Sequence, residues 1–239
     1  MERLDKLLCS QGTLTRSEAG RMIRSGRVTV DGVVCRQAAQ KLDPAVAKVA
    51  VDGKPLGYAE YVYFMLNKPD GILCVSRDKK VPTVVDLLPD EYRRRGLFPA
   101  GRLDKDTHGL VLITDDGDFA HRMLSPRHHI PKTYLARLDK PLSAEAAQAF
   151  RDGPTLADGT QCQPAQLAVL EEGESPLVEV IIYEGKYHQI KRMFASVGCH
   201  VEWLKRTKMG GLCLDESLAE GECRPLTVEE KSSILNENN

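Results

Sequence analysis

From Tyr61 onward, strand-like and helix-like runs follow one another without a regular period, and this limits the fold more than any other feature of the chain. "YVYFMLNKP", "LVLIT", "KTYLARL", "LAVL" and "LVEVIIYEG" are strand-like segments, and the short apolar run "LVLIT" reads as a buried strand. "DFAHRMLS", "SAEAAQAFRDG" and "YHQIKRMFASVG" interrupt them with helical spacing. A strict strand–helix alternation would specify a parallel sheet. Its absence points to an α+β fold around a mostly antiparallel, mixed sheet. In "YHQIKRMFASVG", Ile190, Phe194 and Val197 mark the core face, which turns Lys191 and Arg192 elsewhere. "TVEE" (227–230) is a capping box that starts a final helix to about Leu235, before residues 236–239 fray.

The first 57 residues read differently. Leu4, Leu7 and Leu8 lie on one face of a short helix. "TRSE" (15–18) is a capping box for a second helix, whose apolar side is Ala19, Met22 and Ile23. Arg21 and Arg24 are three apart and share its exposed face, with Arg16 and Arg27 at the ends. "GRVTVDGVVC" is a strand, an Asp31-Gly32 turn and a second strand. Residues 1–41 carry eight Lys or Arg against four Asp or Glu, whereas from Asp215 on there are seven acids and two bases. The net charge of −1 therefore hides a basic binding module behind an acidic tail. "GYAEY" links this module to the rest, with residues 58–61 as the linker and 62–235 as the larger domain. So short a linker of this composition is expected to be a flexible tether.

Several chemistries lack their signatures. No Walker or G-x-G-x-x-G loop offers a nucleotide cradle. "TDDGDF" lacks the spacing and closing Glu of a calcium loop. His128 and His129 are adjacent, so on a strand they point to opposite faces. The seven cysteines form no C-x-x-C pair and no even framework, as in a reducing cytoplasm. No apolar run reaches the roughly 20 residues of a membrane helix. The expectation is a cytoplasmic, monomeric protein without metal or cofactor. "GRLDKDTHGL" (101–110) stands out, because it sets Arg102, Asp104, Lys105, Asp106 and His108 at the mouth of the strand "LVLIT". Taken alone, such a polar cluster is a solvated turn.

The stretch "RLDKLLCSQGTLTRSEAGRMIRSGRVTVDGVVC" resembles the S4 RNA-binding domain. "YFMLNKPDGIL", "GRLDKDTHGL", "SPRHHIPKTY", "YEGKYHQIKRMFASVG" and "ECRPLTVEE" follow in order. Together they resemble the RsuA branch of the pseudouridine synthases over nearly the whole chain. The resemblance implies an S4-like α/β module followed by the catalytic domain. It further implies isomerisation of a uridine in ribosomal RNA, in the small subunit and in an assembly intermediate, with no cofactor. Large-subunit RNA is the alternative target within the branch. A non-catalytic rRNA-binding assembly factor and a different base-flipping enzyme are the alternatives outside it.

By the same resemblance Asp104 is the catalytic carboxylate, acting on the sugar as a nucleophile or as a base in a glycal route. Arg102 fills the gap left by a flipped base or grips the flanking phosphate. Tyr134 stacks on the flipped base, and Ile190 walls its pocket. Lys191 holds the family's basic position that pairs with Asp104 and keeps it ionised. Arg3, Lys6, Arg16, Arg21, Arg24 and Arg27 contact RNA, and Arg192 extends that track with Lys205, Arg206 and Lys208. Two positions depart from the family pattern: His108 precedes the glycine of "DTHG", and Trp203 lies in a segment that helps to set the target and is read as core.

Overall fold

A computed structural model describes residues 1–235; the tail expected to fray lies outside the described residues. The chain divides into two compact units. One comprises Met1–Val62 with Leu88–Leu97, the other Tyr63–Leu87 with Phe98 onward. The sequence gives no sign that residues 88–97 fold with the first unit, since they interrupt the larger domain.

The first unit contains β1 (Glu2–Arg3), α1 (Leu4–Ser10), α2 (Arg16–Arg24), β2 (Val28–Val30), β3 (Val33–Val34), β4 (Lys41–Leu42), β5 (Val49–Val51) and β6 (Lys54–Pro55). Strands β3, β2, β5 and β6 form one antiparallel sheet in that order, and β1 pairs with β4. The capping box at α2 is complete: Glu18 N donates to Thr15 Oγ1 at 3.2 Å, and Thr15 N to Glu18 Oε2 at 2.7 Å. The Asp31-Gly32 turn is made with both residues at positive φ (51° and 82°), the mirror-image turn that matches strand twist. Leu4, Leu7, Leu8, Ala19, Ile23, Val28 and Val49 pack the core. Residues 59 and 60 are bonded within this unit. Ala59 N donates to Gln11 Oε1 (3.0 Å), and Arg94 donates to the carbonyls of Ala59 (2.9 Å) and Glu60 (3.0 Å).

Asp5, on α1, is buried and receives hydrogen bonds from Arg3 (3.0 and 2.7 Å) and, more loosely, Arg16. The Arg3 hydrogen bonds hold its carboxyl down to about 2, against the opposing effect of burial. The unfolded chain binds that proton nearer pH 3.9. The ion pairs therefore stabilise the fold fully above the unfolded value, and this contribution fades as pH falls towards 2. Urea unfolding of wild type should lose about 1–2 kcal/mol from Asp5 between pH 5 and pH 2. In Asp5→Asn that loss should be absent, and an unchanged acid slope would contradict it.

The second unit contains β7 (Tyr63–Lys68), β8 (Phe98–Pro99), β9 (His108–Thr114), α3 (Gly117–Leu124), β10 (Lys132–Leu138), α4 (Ala144–Asp152), β11 (Gln166–Glu171), β12 (Leu177–Ile182), α5 (Gln189–Ser196), β13 (Val201–Met209), β14 (Leu212–Cys213), β15 (Cys223–Pro225) and α6 (Val228–Leu235). The main sheet runs β11-β12-β10-β13-β9-β7-β15, with β14 on β13 and β8 on β9. Among the described strands only β9 and β13 pair in parallel, so the sheet is mixed and mostly antiparallel. Met65, Leu110, Leu112 and Met209 meet Phe119, Ala120 and Met123 of α3 and Ile234 of α6. In a second apolar group, Phe150 of α4 packs on Phe194 of α5 with ring centroids 4.7 Å apart. The second capping box, Thr227 with Glu230, is also formed.

Strand β13 lies at the centre of the sheet, although its sequence, "VEWLKRTKM", carries little apolar signal. Two register shifts against β10 leave Glu202 and Thr207 without opposing partners. Each extra residue changes which side chains face inward, so Val201, Leu204, Arg206 and Met209 are buried without a strict period of two. Arg206 is thereby placed in the interior and is not part of an RNA track. Its Nε and Nη2 donate to the Leu110 carbonyl at 2.9 and 2.6 Å.

Candidate active site

The polar stretch before β9 is a turn held from beneath. Thr107 N donates to the Asp104 carbonyl (3.1 Å), closing a four-residue turn with Lys105 and Asp106 at its tip. Leu103 and Thr107 are buried, Asp104 is half-exposed, and Arg102, Lys105 and Asp106 face solvent. Under the turn lies Lys68, the last residue of β7, which is fully buried. Its Nζ donates to the carbonyls of Lys105 (2.8 Å), Thr107 (2.9 Å) and Pro69 (3.1 Å). Burial pulls the Lys68 amine below its usual range, since no carboxylate touches it. Gly71 N adds a bond to the Lys105 carbonyl (3.1 Å).

Where the turn enters β9, Gly109 has φ +98° and faces Arg206 across the parallel pair. A Cβ there would lie 2.2 Å from the Arg206 carbonyl oxygen, so glycine is required by both conformation and space.

The pocket beside Asp104 gathers Arg102, Leu103, Asp104, Thr107, Tyr134, His188, Ile190 and Leu204. Tyr134 on β10, Ile190 on α5 and Leu204 on β13 are each under a tenth exposed and give it apolar walls. Thr107 Oγ1 is buried and has no hydrogen-bond partner among the described residues. Asp104 has the His188 imidazole beside it, with Nε2 3.5 Å from Oδ1. Arg102 makes no ion pair among the described residues and lies exposed at the mouth.

Four of the residues singled out from sequence (Arg102, Asp104, Tyr134 and Ile190) thus line one pocket. Lys191 does not join them. Its Nζ contacts Asp106 rather than Asp104 and holds the Asp106 carboxyl below its ordinary range. The two carboxylates of the turn have different partners because Asp106, at the tip, reaches the outward face of α5, while Asp104 turns towards the pocket. Arg192 is also engaged, by Asp158 and by the Tyr187 carbonyl (3.3 Å). In the first unit, Arg3 and Arg16 pair with Asp5, Lys6 with Glu2 and Arg27 with Asp52. Arg21 and Arg24 remain, without ion pairs among the described residues, on the exposed side of α2.

Lys132, two residues before Tyr134, is a half-buried amine. Burial and then the neighbouring Arg206 lower it to about 8, and its Nζ donates to the Ile130 carbonyl (2.8 Å). Among the described residues no group of three or more His, Cys, Asp or Glu is arranged to ligate a metal, and no helix is long and apolar enough to cross a membrane.

The S4 domain model matches residues 2–45, and the RNA pseudouridylate synthase model matches residues 62–196, more than half of the chain. The chain belongs to the RNA pseudouridylate synthase family. It is 49% identical to ribosomal small subunit pseudouridine synthase A of Escherichia coli (strain K12), over 98% of this chain and 100% of the relative. It is 43% identical to the uncharacterized RNA pseudouridine synthase YtzG of Bacillus subtilis (strain 168), over 98% of each. A solved pseudouridylate synthase matches 98% of this chain and 100% of its own at 39% identity, with a TM-score of 0.66. The synthase matches both modules of the sequence reading and its α+β fold. Lys68, Thr107 and His188 lie at the site without having been picked out from sequence. For Lys68 the available signal was a single cation ending a strand, "YFMLNK", that begins with four apolar or aromatic residues.

Proposed function

We propose that this synthase converts a uridine of small-subunit ribosomal RNA to pseudouridine in an assembly intermediate, with Asp104 as the catalytic carboxylate. The observation that carries this is Asp104 itself: a half-exposed carboxylate at the edge of a pocket with apolar walls from Tyr134, Ile190 and Leu204, free of any neutralising Lys or Arg contact among the described residues. The reaction breaks the C1′–N1 bond, turns the uracil and rejoins it through C5, so base and sugar stay in one site throughout. Either an attack on C1′ or removal of a sugar proton uses one ionised oxygen at that place. A uracil within folded RNA reaches the pocket only by leaving its stack, at a cost of a few kcal/mol. Tyr134 offers a ring face for the flipped base, and Arg102 is free to occupy the vacated space or a flanking phosphate.

The small-subunit target draws its support from the Escherichia coli relative, whose name carries it and whose whole length aligns. Arg21 and Arg24 on α2 would bring cationic contacts to the RNA backbone, which fix register without reading sequence. The test is to map pseudouridine by carbodiimide labelling and primer extension across both ribosomal RNAs, in cells lacking the protein and in complemented cells. One small-subunit pseudouridine should vanish and return. A lost large-subunit mark would overturn the target, and an unchanged pattern would overturn the reading as a whole.

A further inference from the structure

Tyr187 is 71% exposed, yet it sits next to the pocket and is held in place. Its ring stacks on that of His188, with centroids 3.8 Å apart and planes 19° from parallel. His188 lines the pocket and turns its Nε2 to Asp104 at 3.5 Å. The backbone is fixed on both sides. Arg192 Nη1 donates to the Tyr187 carbonyl while its other arm holds Asp158, and Lys186 N donates to Gln189 Oε1 at 2.8 Å. His188 itself has φ 48° and ψ 36°, a left-handed conformation that residues with a Cβ adopt at a cost, and it donates no side-chain cap to α5. Strain of this kind persists where the surroundings over-determine it, and here it directs one aromatic ring into the pocket and a second ring out beside it.

The outer face of Tyr187 is open. A strand whose target base enters the pocket must continue past the rim in both directions, carrying its neighbouring bases unstacked from the flipped one. Exposed aromatic faces are what such bases take up, and every base has a face to offer. We infer that the Tyr187–His188 stack is a platform for the nucleobase adjoining the target uridine, so that Tyr187 is an RNA-binding residue of this enzyme. The imidazole between the platform and Asp104 makes the stack continuous with the pocket. This inference rests on the synthase reading above but not on which ribosomal subunit is modified.

The test is single-turnover kinetics on whichever rRNA fragment the wild-type protein modifies. Tyr187→Ala should weaken the apparent RNA affinity about tenfold, the size of one lost base–aromatic stack, with the rate at saturating RNA within about twofold of wild type. Tyr187→Phe and Tyr187→Trp should keep wild-type affinity, since they keep the face. Abasic nucleotides placed one at a time on either side of the target locate the partner. At one flank, wild type should lose the same factor and Tyr187→Ala should lose nothing further. The inference is overturned if Ala leaves affinity unchanged, if Phe is as harmful as Ala, or if the protein and RNA defects multiply at both flanks. A wild-type protein inert on the RNA of either subunit overturns both readings, whereas an active one with an indifferent Ala variant overturns this one alone.

Discussion

An Asp104→Asn protein should fold and bind ribosomal RNA as wild type does, and release no measurable C5 tritium from 5-tritiated uridine RNA. The two halves of this expectation have separate causes. The side chain is 28% exposed, and the His188 imidazole stands 3.5 Å away, so removing the carboxylate charge breaks at most a loose, solvent-screened contact worth about 0–1 kcal/mol. The amide, however, has no ionised oxygen for the sugar, and a catalytic carboxylate contributes on the order of 10²- to 10⁴-fold or more to rate. Asp106→Asn is the informative neighbour. It breaks the contact with Lys191, but Asp106 is two-thirds exposed and lies outside the pocket lining. A loss of only a few-fold is expected there. Melting temperatures of the two variants should agree to within a few degrees of wild type, which separates chemistry from folding. If Asp106→Asn were inert and Asp104→Asn active, the catalytic assignment would be reversed.

Local signals in the sequence led to local structure that is present. Both capping boxes, the Asp31-Gly32 turn and the leucine face of α1 rest on interactions among residues three or four apart, so the sequence contains all of their causes. The Asp52-Gly53 turn between β5 and β6 has the same dipeptide, also with both residues at positive φ, and was equally open to reading. What stayed hidden depends on partners far along the chain. Strand β13 looks like a basic surface because its burial phase is reset by bulges that only β10 reveals. The six basic residues named in the first module looked free, but Asp5 and Asp52 had already taken three of them and Glu2 a fourth. Lys191 is the most instructive case. Helical spacing correctly kept it off the core face, but whether it meets Asp104 or Asp106 depends on how the turn sits, and spacing on α5 carries no information about that. Four residues named by the resemblance line one pocket, but the lysine it paired with Asp104 meets Asp106.

How the turn sits is set by Lys68, and the second large effect is expected there. Lys68→Met should lower the unfolding free energy by about 2–4 kcal/mol and reduce the rate at saturating RNA even where the variant is fully folded. The magnitude comes from opposing effects. The substitution relieves the cost of burying an ammonium, a cost visible in its lowered pKa. It also strips donors from the carbonyls of Pro69, Lys105 and Thr107, and each buried acceptor left unmade costs about 1–3 kcal/mol. Three unmade acceptors outweigh the relief, although the loss stays below that of a broken buried ion pair, because carbonyl dipoles leave no full charge stranded behind. The kinetic effect has a different origin. Two of those carbonyls belong to the turn that presents Asp104, and a carboxylate displaced by even about 1 Å loses much of its effect on rate. Urea unfolding, together with single-turnover rates at a temperature where the variant is wholly native, tests both. Full activity in a destabilised Lys68→Met would mean that the turn holds Asp104 in place without the cation beneath it.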